Sequence, residues 1–380
     1  MAKYENIRAL AKKQLQAVTE SSDRWKAFLQ TAAIAYNYSF PNQLLIHEQS
    51  PTATAVADIA YWNNNAGRWV KRGAHGIAVF DTHANSSRLR YLFDISDTIP
   101  RAEVPEALPW VITDQNWRPV WDKIVADNHA DSIQSALLML STSCVAQRSA
   151  MFTTALGKAI DGSSLQWAKP DEQRQLFLQL ITQSCLYMAA LRCGVDTARL
   201  DLSALESVNQ FDTNRITLCL GSACQQAARP LMQQNRQHHE RNRQCCTRRK
   251  KSAIMVTNRR KQYTRRSTME YMMVNGYQIP ALTLNEPPTP EIGKYGSLRR
   301  KFLLENAPMM FDEMLLEGTL YPHLAEMDNA VHRQIEQMMQ TLMQQSTAPN
   351  RQTDPMGWTQ WINALQAQAE ELAMQQIYSL

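Results

Sequence analysis

Aromatic and cationic side chains alternate between positions 61 and 76, and three glycines separate them. The aromatic and cationic members are Tyr61, Trp62, Arg68, Trp69, Lys71, Arg72 and His75, and the glycines are Gly67, Gly73 and Gly76. Aromatic rings stack on unpaired bases, for about 1–3 kcal/mol per base, while neighbouring cations follow the phosphates. Glycines allow tight turns that present backbone N–H groups to an anion. The pattern indicates a surface for single-stranded nucleic acid, unless Trp62 and Trp69 fill the core and the cations only solubilise a turn.

The elements that would position these side chains are two strands. The apolar run from Ile77 to Phe80 and the run from Leu89 to Phe93 flank a polar turn, which predicts a hairpin. Arg88 and Arg90 alternate along the second strand, so we expect them to extend the cationic face.

A strongly basic segment lies in the second half of the chain. Residues 229–266 hold 13 Lys or Arg and one acidic residue, a net charge of +12, whereas the other 342 residues carry −7. Its cations include Arg241, Arg243, Arg248, Arg249, Lys250, Lys251, Arg259, Arg260 and Lys261. If six cations neutralise phosphates, log K falls with log salt at a slope of about −5. An anionic membrane surface is the competing partner, but the segment has no apolar face, which favours nucleic acid.

Signatures of catalysis and of metal binding are missing from the sequence. Gly157-Lys158 lacks the other residues of a phosphate-binding loop, and no nucleophile has a convincing base. The metal-ligand types His238, His239, Cys245 and Cys246 are adjacent pairs among cations that repel a metal ion. We therefore expect a protein that is not an enzyme and needs no cofactor or metal. Without a run of 18 apolar residues or a signal peptide, we expect a cytoplasmic protein with no membrane contact.

Hydrophobic periodicity predicts a predominantly helical α+β protein in four parts. These are a small α+β domain (1–100), a helical extension (110–228), a disordered basic linker (229–268) and a hairpin-plus-helices domain (270–380). The linker has little apolar area to offset the entropy of ordering. Asn275-Gly276 predicts the hairpin turn of the last part. Apolar stripes at 324–342 and 358–372 predict a helix pair within the chain.

The N-terminal part resembles a known family in two adjacent segments, NYSFPNQLLIHEQSPTATAVADIAYW and GRWVKRGAHGIAVF. Together they resemble the single-stranded-DNA-binding domain of ArdC-type antirestriction proteins, in the version that opens large helicase-like or methylase-like proteins of conjugative elements. The likeness covers about residues 3–97. The family's turn is matched by Val70, Lys71, Arg72, Gly73 and Gly76, whereas Ala74 and His75 stand where Glu and Lys are usual. The resemblance implies binding of single-stranded DNA.

The C-terminal part, about residues 270–380, resembles a second family, the TnpV proteins encoded on mobilisable transposons. The likeness is carried by YQIPALTLNEPPTPEIGKYGSLRRKFLLE, LLEGTLYPHLAEMDNAVHRQIEQMM and WTQWINALQAQAEELAMQQIYSL. Residues in the family's pattern are Gly293, Tyr295, Gly296, Gly318, His323, Leu324, Asp328, Trp358, Asn363, Ala369, Glu370 and Tyr378. This resemblance implies a genomic setting and no mechanism. We expect His323 and Asp328 to serve capping and packing rather than catalysis.

The two resemblances together predict a non-enzymatic, DNA-associated accessory protein of a mobile genetic element. Single strands would contact Trp62, Arg68, Trp69, Lys71, Arg72, His75, Arg88 and Arg90, and the basic linker would add affinity without sequence preference. One alternative is an interaction module that docks to a partner protein through the Met-rich stripe at 324–343, without DNA contact. The others are a hydrolase, and a non-selected fusion of a truncated conjugative-element protein with TnpV, in which the basic segment is an accident.

Overall fold

The structure, a computed structural model, describes residues 2–101, 117–247, 271–274, 277–280 and 292–378. About 70% of it is helical, with a small share of antiparallel sheet, which confirms the predicted α+β class. The chain divides into two compact units. The first comprises Met1–Phe80 and Leu89–Asn285, and the second comprises Asp81–Arg88 and Glu286–Leu380.

Three helices open the first unit: α1 (Ala2–Ala17), α2 (Ser22–Ile34) and α3 (Phe40–Gln49). The apolar residues of α2 repeat at helical spacing, so that Trp25, Phe28 and Leu29 share the buried face. Ser21 begins this helix, because its side-chain oxygen accepts a hydrogen bond from a backbone N–H of the first turn at 3.3 Å. Phe28 meets Phe40 of α3 edge to face, with ring centroids 5.4 Å apart.

Five short strands and a short helix follow: β1 (Val56–Asp58), α4 (Ile59–Asn64), β2 (Arg68–Val70), β3 (Ile77–Phe80), β4 (Leu89–Asp94) and β5 (Thr98–Pro100). The strand β4 pairs antiparallel with both β1 and β3. The register sets Ile77 opposite Leu92, which confirms the predicted hairpin. The strands β2 and β5 form a separate antiparallel ribbon, in which Trp69 lies opposite Ile99.

Longer helices complete the core of the first unit: α5 (Trp117–Asp127), α6 (Ile133–Ala146), α7 (Ser149–Ala159), α8 (Pro170–Cys193) and α9 (Asn214–Thr247). The helix α8 packs against α2, α6, α7 and α9, so it lies at the centre of this unit. Five cysteines of this unit are buried and form no disulfide bond: Cys144, Cys185, Cys193, Cys219 and Cys224. Burial raises the pKa of Cys193 and of Cys224 to about 12, which keeps both as thiols. They serve as small core side chains.

The helix α8 is, within the described ranges, the one helix long and apolar enough to cross a membrane. In its most apolar 18-residue window, 67% is buried inside the protein. A helix at the centre of a folded core meets the same length and composition criteria, so the indication of a membrane span is weak.

The helix α9 extends into the segment that the sequence predicts to be a linker. It ends at Thr247, whereas the predicted linker begins at residue 229. Leu231 and Met232 at the start of this segment are fully buried, and its Gln and Arg residues favour helix by intrinsic propensity even without a continuous apolar stripe. The rest of the predicted linker, residues 248–268, lies outside the described residues.

The strands β6 (Tyr271–Val274) and β7 (Tyr277–Pro280) pair antiparallel around Asn275-Gly276, which confirms the predicted hairpin. Helices of the second unit are α10 (Lys294–Asn306), α11 (Pro308–Glu317), α12 (Leu320–Gln345) and α13 (Pro355–Ile377). The helix α12 packs against α10 and α13, as the two apolar stripes predict. Val331, Ala373 and Ile377 are fully buried in a cluster with Tyr295.

Candidate nucleic-acid interface

The strand β2 divides the predicted cluster between the interior and the surface. Successive side chains of a strand point to opposite faces. Arg68 and Val70 are buried, at 7% and 6% exposure, whereas Trp69 between them is 54% exposed. Buried and exposed side chains therefore alternate from one residue to the next along this three-residue strand.

The outer face of the β2–β5 ribbon combines an indole, an aliphatic side chain and a guanidinium group. Ile99, the cross-strand partner of Trp69, is 52% exposed. The guanidinium carbon of Arg101 lies over the Trp69 ring, 3.8 Å from its centroid, which is cation–π distance. The backbone N–H of Arg101 donates to the Gly67 carbonyl at 3.0 Å and so holds this residue beside β2. Trp69, Ile99 and Arg101 are here called the Trp69 platform.

Two members of the Trp69 platform, Ile99 and Arg101, are absent from the sequence prediction. Pro100 lies between them, and a proline is typical of a loop, although it is tolerated on a strand that does not need its N–H in the ladder. The sequence has no signal that identifies β5, because its polar Thr98 is buried and its apolar Ile99 is exposed, the reverse of the usual pattern.

Trp62 does not belong to the interface, which corrects the prediction. It is 3% exposed and packs in a core cluster with Ala57, Val70 and Phe93. Its indole N–H donates to the carbonyl of Phe93 at 2.9 Å. A ring enclosed in this way has no face for a base, so Trp62 serves the fold.

Arg68 is likewise an interior residue, which corrects a second predicted contact. Its Nε donates to the Thr98 side-chain oxygen at 2.6 Å, and the Thr98 hydroxyl donates to the carbonyl of Ile95 at 2.7 Å. These bonds connect β2 to β5 and satisfy buried polar groups. Arg68 therefore braces the ribbon whose outer face carries Trp69.

Lys71, Arg72 and His75 are exposed on the turn after β2, where the prediction expects them. The turn closes through a hydrogen bond from the Ala74 N–H to the Lys71 carbonyl, and Gly73 takes a left-handed φ of +80°. The Lys71 ammonium donates to the carbonyl of Ser96 at 2.7 Å.

The two arginines predicted to extend the cationic face differ in their surroundings. Arg90 is partly buried and forms an ion pair with Asp58, so its charge is neutralised within the protein. Arg88 is exposed and lies in the second unit.

Most of the cations predicted to bind in the basic segment lie outside the described residues. Arg241 and Arg243 lie on the helix α9. The other predicted contacts, Arg248, Arg249, Lys250, Lys251, Arg259, Arg260 and Lys261, lie outside the described residues.

No group of three or more His, Cys, Asp or Glu side chains is arranged to hold a metal ion in the described ranges. His323 and Asp328, the pair considered for catalysis, have packing roles. Asp328 accepts a hydrogen bond from the Gly296 N–H at 2.9 Å and so joins α12 to α10. Burial, together with the charge of Arg299, lowers the pKa of His323 and favours a neutral ring.

The residues of the TnpV pattern hold three helices together. A Cβ added at Gly293 would come within 2.6 Å of Asp328, and one at Gly296 would come within 2.8 Å of the Leu324 carbonyl. Lys294 bonds to Glu370 of α13 at 3.0 Å. The pattern therefore specifies the close approach of α10 to α12 and its contact with α13.

The comparison with family models identifies the C-terminal part of the chain. Residues 270–378 match the family model described as "Transposon-encoded protein TnpV". This match supports the second resemblance and associates the chain with a transposon, although it covers under a third of the 380 residues. The comparisons with curated proteins and with solved structures found no match. The resemblance of residues 3–97 to ArdC-type proteins received no support.

Proposed function

We propose that this chain is a non-enzymatic, DNA-associated accessory protein of a mobile genetic element that contacts single-stranded DNA through the Trp69 platform. The observation that carries the proposal is the half-exposed indole of Trp69 with the Arg101 guanidinium stacked on it. An unpaired base stacks on indole or guanidinium planes, and a guanidinium also bonds phosphate. The family match of residues 270–378 supports the mobile-element setting.

Positive charge for the phosphates lies next to the stacking surface in sequence. Lys71, Arg72 and His75 follow Trp69 within six residues and are all exposed. The revised contact set is therefore Trp69, Lys71, Arg72, His75 and Arg101. Trp62 and Arg68 act indirectly, because they fix the core and the ribbon on which this set stands.

The basic segment supplies a second contribution in this proposal. Its net charge of +12 attracts any polynucleotide, whereas base stacking requires an unpaired strand. The two contributions therefore differ in their dependence on strandedness and on salt.

A fluorescence anisotropy titration with labelled single- and double-stranded oligonucleotides at two salt concentrations tests the proposal. We expect Trp69→Ala in the full chain to weaken single-strand binding by about 1–3 kcal/mol and to leave duplex binding almost unchanged. Replacing Arg248, Arg249, Lys250 and Lys251 together by Gln should weaken the binding of single-stranded and double-stranded DNA alike. It should also reduce the slope of log K against log salt concentration.

The matched control is Trp167→Ala, which removes an indole that is 84% exposed elsewhere in the first unit. This variant should bind like the unmodified chain. If Trp69→Ala and Trp167→Ala bind single strands equally well, the Trp69 platform is not the contact surface.

A second candidate function is protein interaction through the C-terminal helices, without DNA contact. It is favoured by the large apolar side chains of α12 and α13 that remain partly exposed, Met343 and Met356 among them. Failure of the full chain to bind either oligonucleotide would favour this function.

A further inference from the structure

The far end of the α12–α13 helix pair contains apolar side chains that remain partly or largely exposed in the part of the chain that the structure describes. The hairpin tip is defined here as residues 332–364, which comprise the last part of α12, the connection and the first part of α13. All of them are described, and none is buried. Nine are large and apolar: Ile335, Met338, Met339, Leu342, Met343, Met356, Trp358, Trp361 and Ile362.

The same two helices are well packed at their other end. Leu324 and Val331 of α12 are fully buried, as are Ala369, Ala373 and Ile377 of α13. The packing of α10 against both helices supplies a third layer there. At the hairpin tip the apolar stripe of α12 continues through Ile335 and Met338, which are only partly buried. Two helices alone do not enclose a core, so the tip has half of a helical core.

The balanced charge of the hairpin tip limits the kind of partner that could bind to it. It has two basic residues, Arg333 and Arg351, and two acidic residues, Glu336 and Asp354, and its polar positions include seven glutamines. A nucleic acid or an anionic membrane requires an excess of cations, which the tip lacks. Two identical neutral surfaces meet without charge repulsion, and a two-fold axis places the same apolar side chains of both copies against each other.

We infer that the hairpin tip is a self-association surface, on which a second copy of this chain completes a four-helix bundle. This inference does not depend on the nucleic-acid proposal. The α12 part of the tip, 14 residues, is about 20 Å long, and a helix pair is about 20 Å wide, so each copy contributes a footprint of about 400 Å². The two footprints together bury about 800 Å², less than stable specific interfaces do, so the dimer should be weak and should dissociate reversibly in the micromolar range.

Sedimentation velocity of the full chain, from about 1 to 100 µM, tests the inference. We expect the mass to rise from 43.4 kDa toward twice that value with concentration. The double variant Met343→Glu/Met356→Glu changes positions that are 42% and 76% exposed, so it should fold normally. It should raise the dimer dissociation constant at least about tenfold, because it places charges in an apolar contact.

The control is the double variant Leu138→Glu/Met139→Glu on α6, at positions with comparable exposures of 47% and 52%. It should dimerise like the unmodified chain, and circular dichroism should show unchanged helix content in both variants. A chain that stays monomeric at 100 µM overturns the inference, even if another protein copurifies with it. Equal dimerisation by the tip variant and the unmodified chain overturns it too, as does loss of dimer in the α6 variant alone.

Discussion

Two long helices, one in each unit, bury very different shares of their side chains. The helix α8 has 24 residues and buries 12 of them, whereas α12 has 26 residues and buries four. The helix α8 packs against four other α-helices along its length, and the packing neighbours of α12 are α10, α11 and α13. The difference lies in what surrounds each helix rather than in its length.

The sequence patterns of these helices account for only part of this difference. The stripe on α12 repeats at spacings of three and four residues from Leu324 to Leu342, as a half-buried helix requires. The helix α8 is apolar on more than one face, which is typical of a helix enclosed on all sides. An apolar stripe indicates which face of a helix is suited to burial, but only the tertiary structure shows whether another element packs against that face.

The difference in burial between α8 and the hairpin tip can be tested by comparing substitutions in the two regions. The largest loss of stability is expected when an aromatic ring is removed from α8. Phe177 is fully buried and stacks near Phe211, with ring centroids 6.0 Å apart. Phe177→Ala should lower the free energy of unfolding by about 3–5 kcal/mol, because it leaves a cavity that the core cannot close. Met338→Ala, in the hairpin tip, should cost less than about 1 kcal/mol at low protein concentration. Urea unfolding followed by circular dichroism measures both.

Phe177→Leu serves as the control, since it keeps most of the apolar volume and should cost much less than the alanine variant. Equal losses for Phe177→Ala and Met338→Ala would mean that the interior of the first unit and the hairpin tip do not differ in packing.

A smaller effect is expected from two helical glycines of the first unit. A Cβ added at Gly221 of α9 would lie 2.2 Å from the ring of Phe40, which is itself fully buried. Gly221→Ala should therefore destabilise the protein by about 1–3 kcal/mol through overpacking. A Cβ at Gly157 of α7 meets no atom within 4 Å, so Gly157→Ala should stabilise by about 0.5–1 kcal/mol through helix propensity.

Thermal unfolding of the two alanine variants compares them directly. Opposite shifts of the midpoint are expected, and shifts of the same sign would show that the contact of α9 with α3 is looser than the distance indicates.

Local signals were sufficient for several elements of the fold. The Asn275-Gly276 turn is encoded by two neighbouring residues, so the sequence predicted this hairpin correctly. The β3–β4 hairpin followed from two apolar runs around a polar turn. The end of α9 was predicted too early, because absence of an apolar stripe was taken as absence of helix.

The candidate site was harder to predict, because its geometry depends on pairing between distant residues. Trp62 and Trp69 are seven positions apart and chemically equal, yet one is enclosed and the other exposed. The enclosure of Trp62 is set by the strand β4, whose Phe93 carbonyl accepts its N–H. Arg101 reaches Trp69 only because β5 pairs with β2. No spacing within residues 61–76 contains that information.

The smallest expected effect concerns one partly buried histidine in each unit. His47 of α3 lies beside the Thr31 hydroxyl, 2.8 Å from its Nδ1, and burial lowers its pKa. The pKa of His323 is lowered by burial and by the charge of Arg299. In both cases the fold favours the neutral ring, whereas the unfolded chain takes up a proton near the ordinary pKa of about 6.5.

The unfolded state therefore binds more protons below this pH, and stability must fall as the pH decreases from about 7 toward 5. Urea unfolding at several pH values measures this slope. His47→Gln should remove the contribution of His47 to the pH dependence of the free energy of unfolding, and His323→Gln should remove that of His323. The double variant should lose both contributions, because the two rings belong to different units. If His47→Gln retains the full slope, His47 is charged in the folded protein, and α3 is more open to water than its burial indicates.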